Sequence, residues 1–210
     1  MSPAQHALLA QYVALLQQWN TRINLMAQDD MAGIWARHID DSLQLLPLLK
    51  PDNWPILDLG SGAGFPGMIL GIVTDRPVIL VEATAKKARF LRHIARSLQL
   101  SDRVKIAECR IETIRLSTPT LITARGLADL SQLCAFIHMI ANGHPTKSLF
   151  MKGKTWESEL TDARRKWDFA CHIYESRTLP QARILRIETL RGLETLRKNS
   201  LPQAADTPKP

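Results

Sequence analysis

Cysteine is scarce in this chain. Cys109, Cys134 and Cys171 are odd in number, far apart and without a Cys-x-x-Cys pair. That leaves no basis for a disulfide framework or a thiol-based zinc site, and reduced thiols suit a cytoplasmic protein. Long apolar runs are missing as well, and none approaches the length of a membrane-spanning helix. The opening "MSPAQHALLA" has no basic region ahead of an apolar core, so no secretory signal is expected. There is no internal repeat.

What is present is a chain of 210 residues, 45% apolar, long enough to bury one proper core with a terminal extension. Charge is lopsided. There are 27 Lys and Arg against 20 Asp and Glu, a net charge of +7 and a pI near 9.6, which leans towards a polyanionic partner such as nucleic acid.

Leu8, Tyr12, Leu16 and Trp19 recur at helical spacing, and so do Trp35, Ile39, Leu43 and Leu46, which predicts two amphipathic helices before Pro51. Beyond it strands alternate with helices. "WPILDLG", "PVILVEA", "VKIAE", "TLITAR" and "KSLFMKG" read as short buried strands. Helices are expected from "PGMILGIV", from "TAKKARFLRHIARSLQL" capped by Thr84, around Leu130 to Ile140, and from Glu157 to Trp167. Such alternation means a parallel sheet covered on both faces. "FACHIYESRT" and "QARILRIETL" leave no room for a crossover helix and should pair as an antiparallel hairpin, making seven strands. The expected division is 1–50 helical extension, 51–198 main domain and 199–210 disordered tail.

"ILDLGSGAGFPG", Ile56 to Gly67, leaves the first strand, where open parallel sheets bind ligands. Gly60, Gly62 and Gly64 let the backbone turn sharply and approach a ligand closely. Two ligands suit the stretch. Gly62 to Gly67 matches the dinucleotide pattern G-x-G-x-x-G, with Glu82 placed for a ribose, which would make the chain an NAD(P)-dependent oxidoreductase. That match starts two residues late, and counted from Gly60 its third glycine is Phe65. S-adenosylmethionine fits the register better: Asp58 can face an ammonium group and Glu82 two ribose hydroxyls. Without any ligand, both acids would sit at strand ends without a role.

The chain resembles the rRNA small-subunit methyltransferase G family, also called glucose-inhibited division protein B. The resemblance rests on "WNTRINLM", "RHIDDSL", "DLGSGAGFPG", "VEATAKKARFLR", "CRIE", "ARG" and "MKGK", and spans almost everything except the tail. It implies a class I S-adenosylmethionine-dependent methyltransferase fold, Rossmann-like and mostly parallel, over the main domain. It also implies methylation of N7 of one guanine in 16S ribosomal RNA, free or in the small ribosomal subunit, in bacterial cytoplasm; a monomer is expected. Carried over, Gly60, Phe65, Ile111, Glu112 and Arg125 would contact the cofactor beside Asp58, Gly62, Gly64 and Glu82. The chain departs from the family at Ile69, Ala124 and Gly126, where proline, serine and alanine are usual.

Guanine N7 carries a lone pair and no hydrogen, so no general base and no metal are expected. The missing Asn/Asp-Pro-Pro-aromatic element and Pro-Cys nucleophile agree. Arg125 is the expected positioning residue, its fork on guanine O6 or a phosphate, or else an ion pair with Glu112 that shapes the pocket. Arg37, His38, Lys86, Lys87, Arg89, Lys152 and Lys154 are the expected RNA contacts. A non-catalytic RNA-binding scaffold is the rival from another class.

Overall fold

The computed structural model describes residues 1–49 and 52–193, so the tail expected at 199–210 lies outside the described residues. Seven strands form one sheet: β1 (Ile56–Leu59), β2 (Val78–Val81), β3 (Val104–Ala107), β4 (Thr120–Arg125), β5 (Thr146–Lys152), β6 (Trp167–Glu175) and β7 (Arg183–Gly192). Their order is β3-β2-β1-β4-β5-β7-β6. β7 slots between β5 and β6 antiparallel to both, while the other neighbours pair in parallel. The chain leaves β1 towards β2 on one side and later returns to β4 on the other, so β1 and β4 flank the switch point where such sheets hold ligands.

The helices are α1 (Pro3–Asn20), α2 (Gln28–Ala32), α3 (Asp40–Leu43), α4 (Gly67–Val73), α5 (Ala85–Ser97), α6 (Leu130–Ile140) and α7 (Trp156–Arg164). A Ser2–Gln5 capping box starts α1, which buries Leu9, Tyr12, Val13 and Leu16 against α4 and α5. Asn20 ends it: its Oδ1 accepts the amides of Leu25 and Met26, and its Nδ2 donates to the Met26 carbonyl. Residues 1–49 therefore share the core of the sheet's α4–α5 face.

Three local expectations fail. The single helix expected around Trp35–Leu46 is broken into a π-helical turn (Trp35–Ile39), α3 and a 3-10 turn (Leu46–Leu48), with the short α2 ahead of them. In the π turn the Asp40 amide reaches the Trp35 carbonyl, and the wider step buries Ile34 and Ile39 together. Trp35, Leu43 and Leu46 are left half-buried. Thr84 stands at the start of α5, but its side chain caps nothing; its amide donates to Glu82 Oε1 at 2.7 Å. Trp167 opens β6 rather than closing α7, because the hairpin extends to the Trp167–Gly192 pair.

Candidate functional site

The loop after β1 turns through Gly60, at φ +64°, where an added Cβ would lie 2.5 Å from Leu127 Cδ1. Above this loop a cavity of about 350 Å³ is bordered by Gly62, Glu82, Lys87, Cys109, Ile111 and Glu112, among others. Glu82 is buried, its Oε2 accepting the Gly62 amide at 2.9 Å and its Oε1 the Thr84 amide. The loop's open amide is thus already covered by a carboxylate. A pyrophosphate there would meet negative charge, whereas hydroxyls or a cation would be welcome. The lining mixes apolar Val81, Ile111 and Leu127 with that carboxylate, and the volume falls within the roughly 300–1,000 Å³ of small-molecule sites. These residues fit S-adenosylmethionine and disfavour a dinucleotide.

A second, larger cavity of about 580 Å³ lies beside the first, and Gly126 borders both. Nothing stands within 4 Å of where a Gly126 Cβ would be. Arg37, His38 and Asp41 of the N-terminal segment form one wall; Arg125, Met151 and Ile184 from the strand ends form another.

Arg125 is the hinge of this wall. Its Nη1 donates to Asp41 Oδ2 at 3.1 Å and to the Arg37 carbonyl at 3.2 Å, and its Nη2 donates to His38 Nδ1 at 2.6 Å. The guanidinium lies 5.1 Å over the Phe65 ring, on which His38 also stacks at 4.9 Å. Its ionic partner is therefore Asp41, not Glu112. Burial, then the Arg125 charge, pushes the His38 pKa down to about 4, so the ring stays neutral. With Nδ1 accepting from Arg125, its proton sits on Nε2, which is buried without a partner.

Several expected residues sit elsewhere than the reading placed them. Asp58 is 0% exposed; Thr123 Oγ1 donates to its Oδ1 at 2.7 Å, Oδ2 has no partner, and burial raises its pKa to about 6. It borders neither cavity. Phe65 is buried between Tyr12 and His38, in the wall. Arg125 borders the larger cavity, and Gly64 packs towards Met68 and Leu91. Lys152 is not a free cation: 9% exposed, it pairs with Glu159 at 2.5 Å and donates to the Ala128 carbonyl. Lys86, Arg89 and Lys154 are exposed, Lys87 is half-buried at the rim of the smaller cavity, and exposed Arg37 pairs with Asp30.

Three residues the sequence reading passed over hold the site together. Tyr12 donates to the Ala63 carbonyl at 2.6 Å, tying α1 to the glycine loop. Thr123 anchors Asp58. Asp41 anchors Arg125 and, through Oδ1, accepts from Gln44 and Thr178, both at 2.6 Å. The helical spacing of Tyr12 signals burial only, and "RHIDDSL" offers two adjacent aspartates that local pattern does not tell apart.

The model of the family described as rRNA small subunit methyltransferase G matches residues 5–182. The chain belongs to that family. Among its relatives, ribosomal RNA small subunit methyltransferase G of Granulibacter bethesdensis is 44% identical over 87% of this chain and 84% of its own length. The protein of that name from Gluconobacter oxydans is 40% identical over 89% and 95%. The sheet also superposes on a SAM-dependent methyltransferase from Aquifex aeolicus, with TM-score 0.54, 12% identity and coverage of 84% and 97%. A mutant of MtNAS in complex with S-adenosylmethionine gives 0.57 and 13%, covering 88% and 75%. At those identities the likeness is one of fold, and it matches the class I methyltransferase architecture expected of the rRNA small-subunit methyltransferase G family.

Proposed function

We propose that this protein transfers a methyl group from S-adenosylmethionine to N7 of one guanine in 16S ribosomal RNA. Family membership supplies the substrate class. The observation within the site that carries the reading is the Glu82 carboxylate seated on the Gly62 amide, in a cavity that shares its Gly126 border with a second, larger one. When bound, S-adenosylmethionine supplies a methyl group activated by its sulfonium.

Gly60, Gly62, Ile111 and Glu112 shape its pocket, and Glu82 is placed for the ribose hydroxyls. No residue need remove a proton, since N7 has none. Neutral His38, its Nδ1 filled by Arg125, is not poised as a base. Catalysis then lies in alignment, which can supply up to roughly 10 kcal/mol. Arg125 and its Phe65 platform fix the wall against which the guanine rests. Lys86, Lys87, Arg89, Arg37 and Lys154 contact RNA phosphates around the two cavities. The enzyme acts as a monomer in the cytoplasm, and no helix among the described residues is long and apolar enough to cross a membrane.

Small subunits purified from cells lacking the protein, incubated with methyl-labelled S-adenosylmethionine and then cleaved chemically at 7-methylguanine, test this reading. One labelled, cleavable guanine is expected. Label without cleavage would discard N7, and cofactor binding without label in subunits or free rRNA would favour the non-catalytic scaffold.

A further inference from the structure

Five large apolar side chains are exposed among the described residues, and of these Leu179 alone borders the larger cavity. It is 47% exposed, on the connection between β6 and β7, with exposed Arg177 two residues before it. This connection is pinned. The Leu179 amide donates to Ser176 Oγ at 3.2 Å, and the Leu179 carbonyl accepts from the Ala182 amide at 2.9 Å. Thr178 Oγ1 donates to Asp41, and the Arg177 amide donates to Gln44 Oε1 at 2.9 Å. An exposed apolar side chain thus borders the larger cavity on a fixed connection, and the carboxylate that fixes its loop also fixes Arg125.

A base stacked in RNA cannot reach a recessed cavity, and enzymes that act on bases take them out of the stack. Proteins that part base steps do so with apolar wedges such as leucine, flanked by cations on the backbone. Resting on the methyl-transfer reading above, we propose that Leu179 is the wedge that keeps the target guanine out of its stack, and that the larger cavity receives the extruded base. Arg177 takes a neighbouring phosphate. The base then lies beside Gly126, which also borders the smaller cavity.

The full-length enzyme is assayed on small subunits from cells lacking it, with S-adenosylmethionine affinity measured by calorimetry. Leu179→Ala is expected to lower kcat about tenfold or more, while KM for subunits stays within about twofold and cofactor affinity is unchanged. Leu179→Met, which restores apolar bulk, is expected to recover kcat to within about threefold of wild type. Ala182→Trp fills the cavity from the same connection and is expected to abolish transfer with cofactor affinity kept.

An unchanged kcat in Leu179→Ala overturns the wedge, and so does a rise in KM alone, which would make Leu179 a docking contact. Transfer at the wild-type rate by Ala182→Trp overturns the cavity assignment. Wild-type enzyme that binds cofactor yet labels neither subunits nor free rRNA sinks the methyl-transfer reading itself, before any variant is compared.

Discussion

Asp40 and Asp41 are chemically identical neighbours with different fates. Asp40 is exposed, whereas Asp41, at 6% exposure, accepts from Arg125, Gln44 and Thr178 at once. Removing one partner of a buried pair leaves the other charge uncompensated, and Arg125 is partly solvated here, which softens that cost. Asp41→Ala is expected to lose about 2–3 kcal/mol in urea denaturation, and Asp40→Ala no more than about 0.5. His38 gives a pH signature. Its folded-state pKa, about 4, lies below the ordinary histidine value near 6.5, so between those values the unfolded chain binds the extra proton. Stability contributed by neutral His38 is present above pH ~6.5 and is lost as pH falls through ~4. His38→Gln is expected to remove that part of the acid destabilisation, seen as a shallower fall of Tm over this window.

Among elements, α1 and the glycine loop are coupled by one hydroxyl. Tyr12 is buried, and its hydroxyl donates to the Ala63 carbonyl of that loop. Tyr12→Phe keeps the packing and strands that carbonyl, at a cost of about 1–2 kcal/mol. Because the loop borders the smaller cavity, weaker calorimetric binding of S-adenosylmethionine is expected alongside the lower Tm. The π-helical turn matters at the same scale. It turns Ile34 and Ile39 inwards, and its carbonyl at Arg37 and ring at His38 both receive Arg125. A regular helix, which the apolar spacing foretold, would have changed that register.

For the whole molecule, the excess of positive charge implies binding that weakens with salt. Lys86 and Arg89 lie exposed on α5, beside the loop that follows β2. Replacing both with alanine is expected to reduce the slope of log binding constant against log salt by about 2, measured on small subunits between about 50 and about 200 mM salt. Cofactor affinity in the same variant should not change.

The sequence alone determined what depends on local pattern. Strand order along the chain, the amphipathic face of α5, the glycine turn and the acid that follows β2 all follow from spacing and backbone freedom within a few residues. Family membership was legible for the same reason, since its motifs are contiguous. Tertiary structure decided what depends on residues far apart meeting. Asp41 and Thr178 are 137 positions apart, and Arg125 and His38 are 87 apart. Whether Lys152 is a phosphate ligand or a paired structural cation depended on Glu159 reaching it from α7. Whether Asp58 faces a ligand or the core depended on Thr123 in the neighbouring strand. A charged side chain's role is set by which opposite charge and how much water surround it, and neither is written in its sequence neighbours.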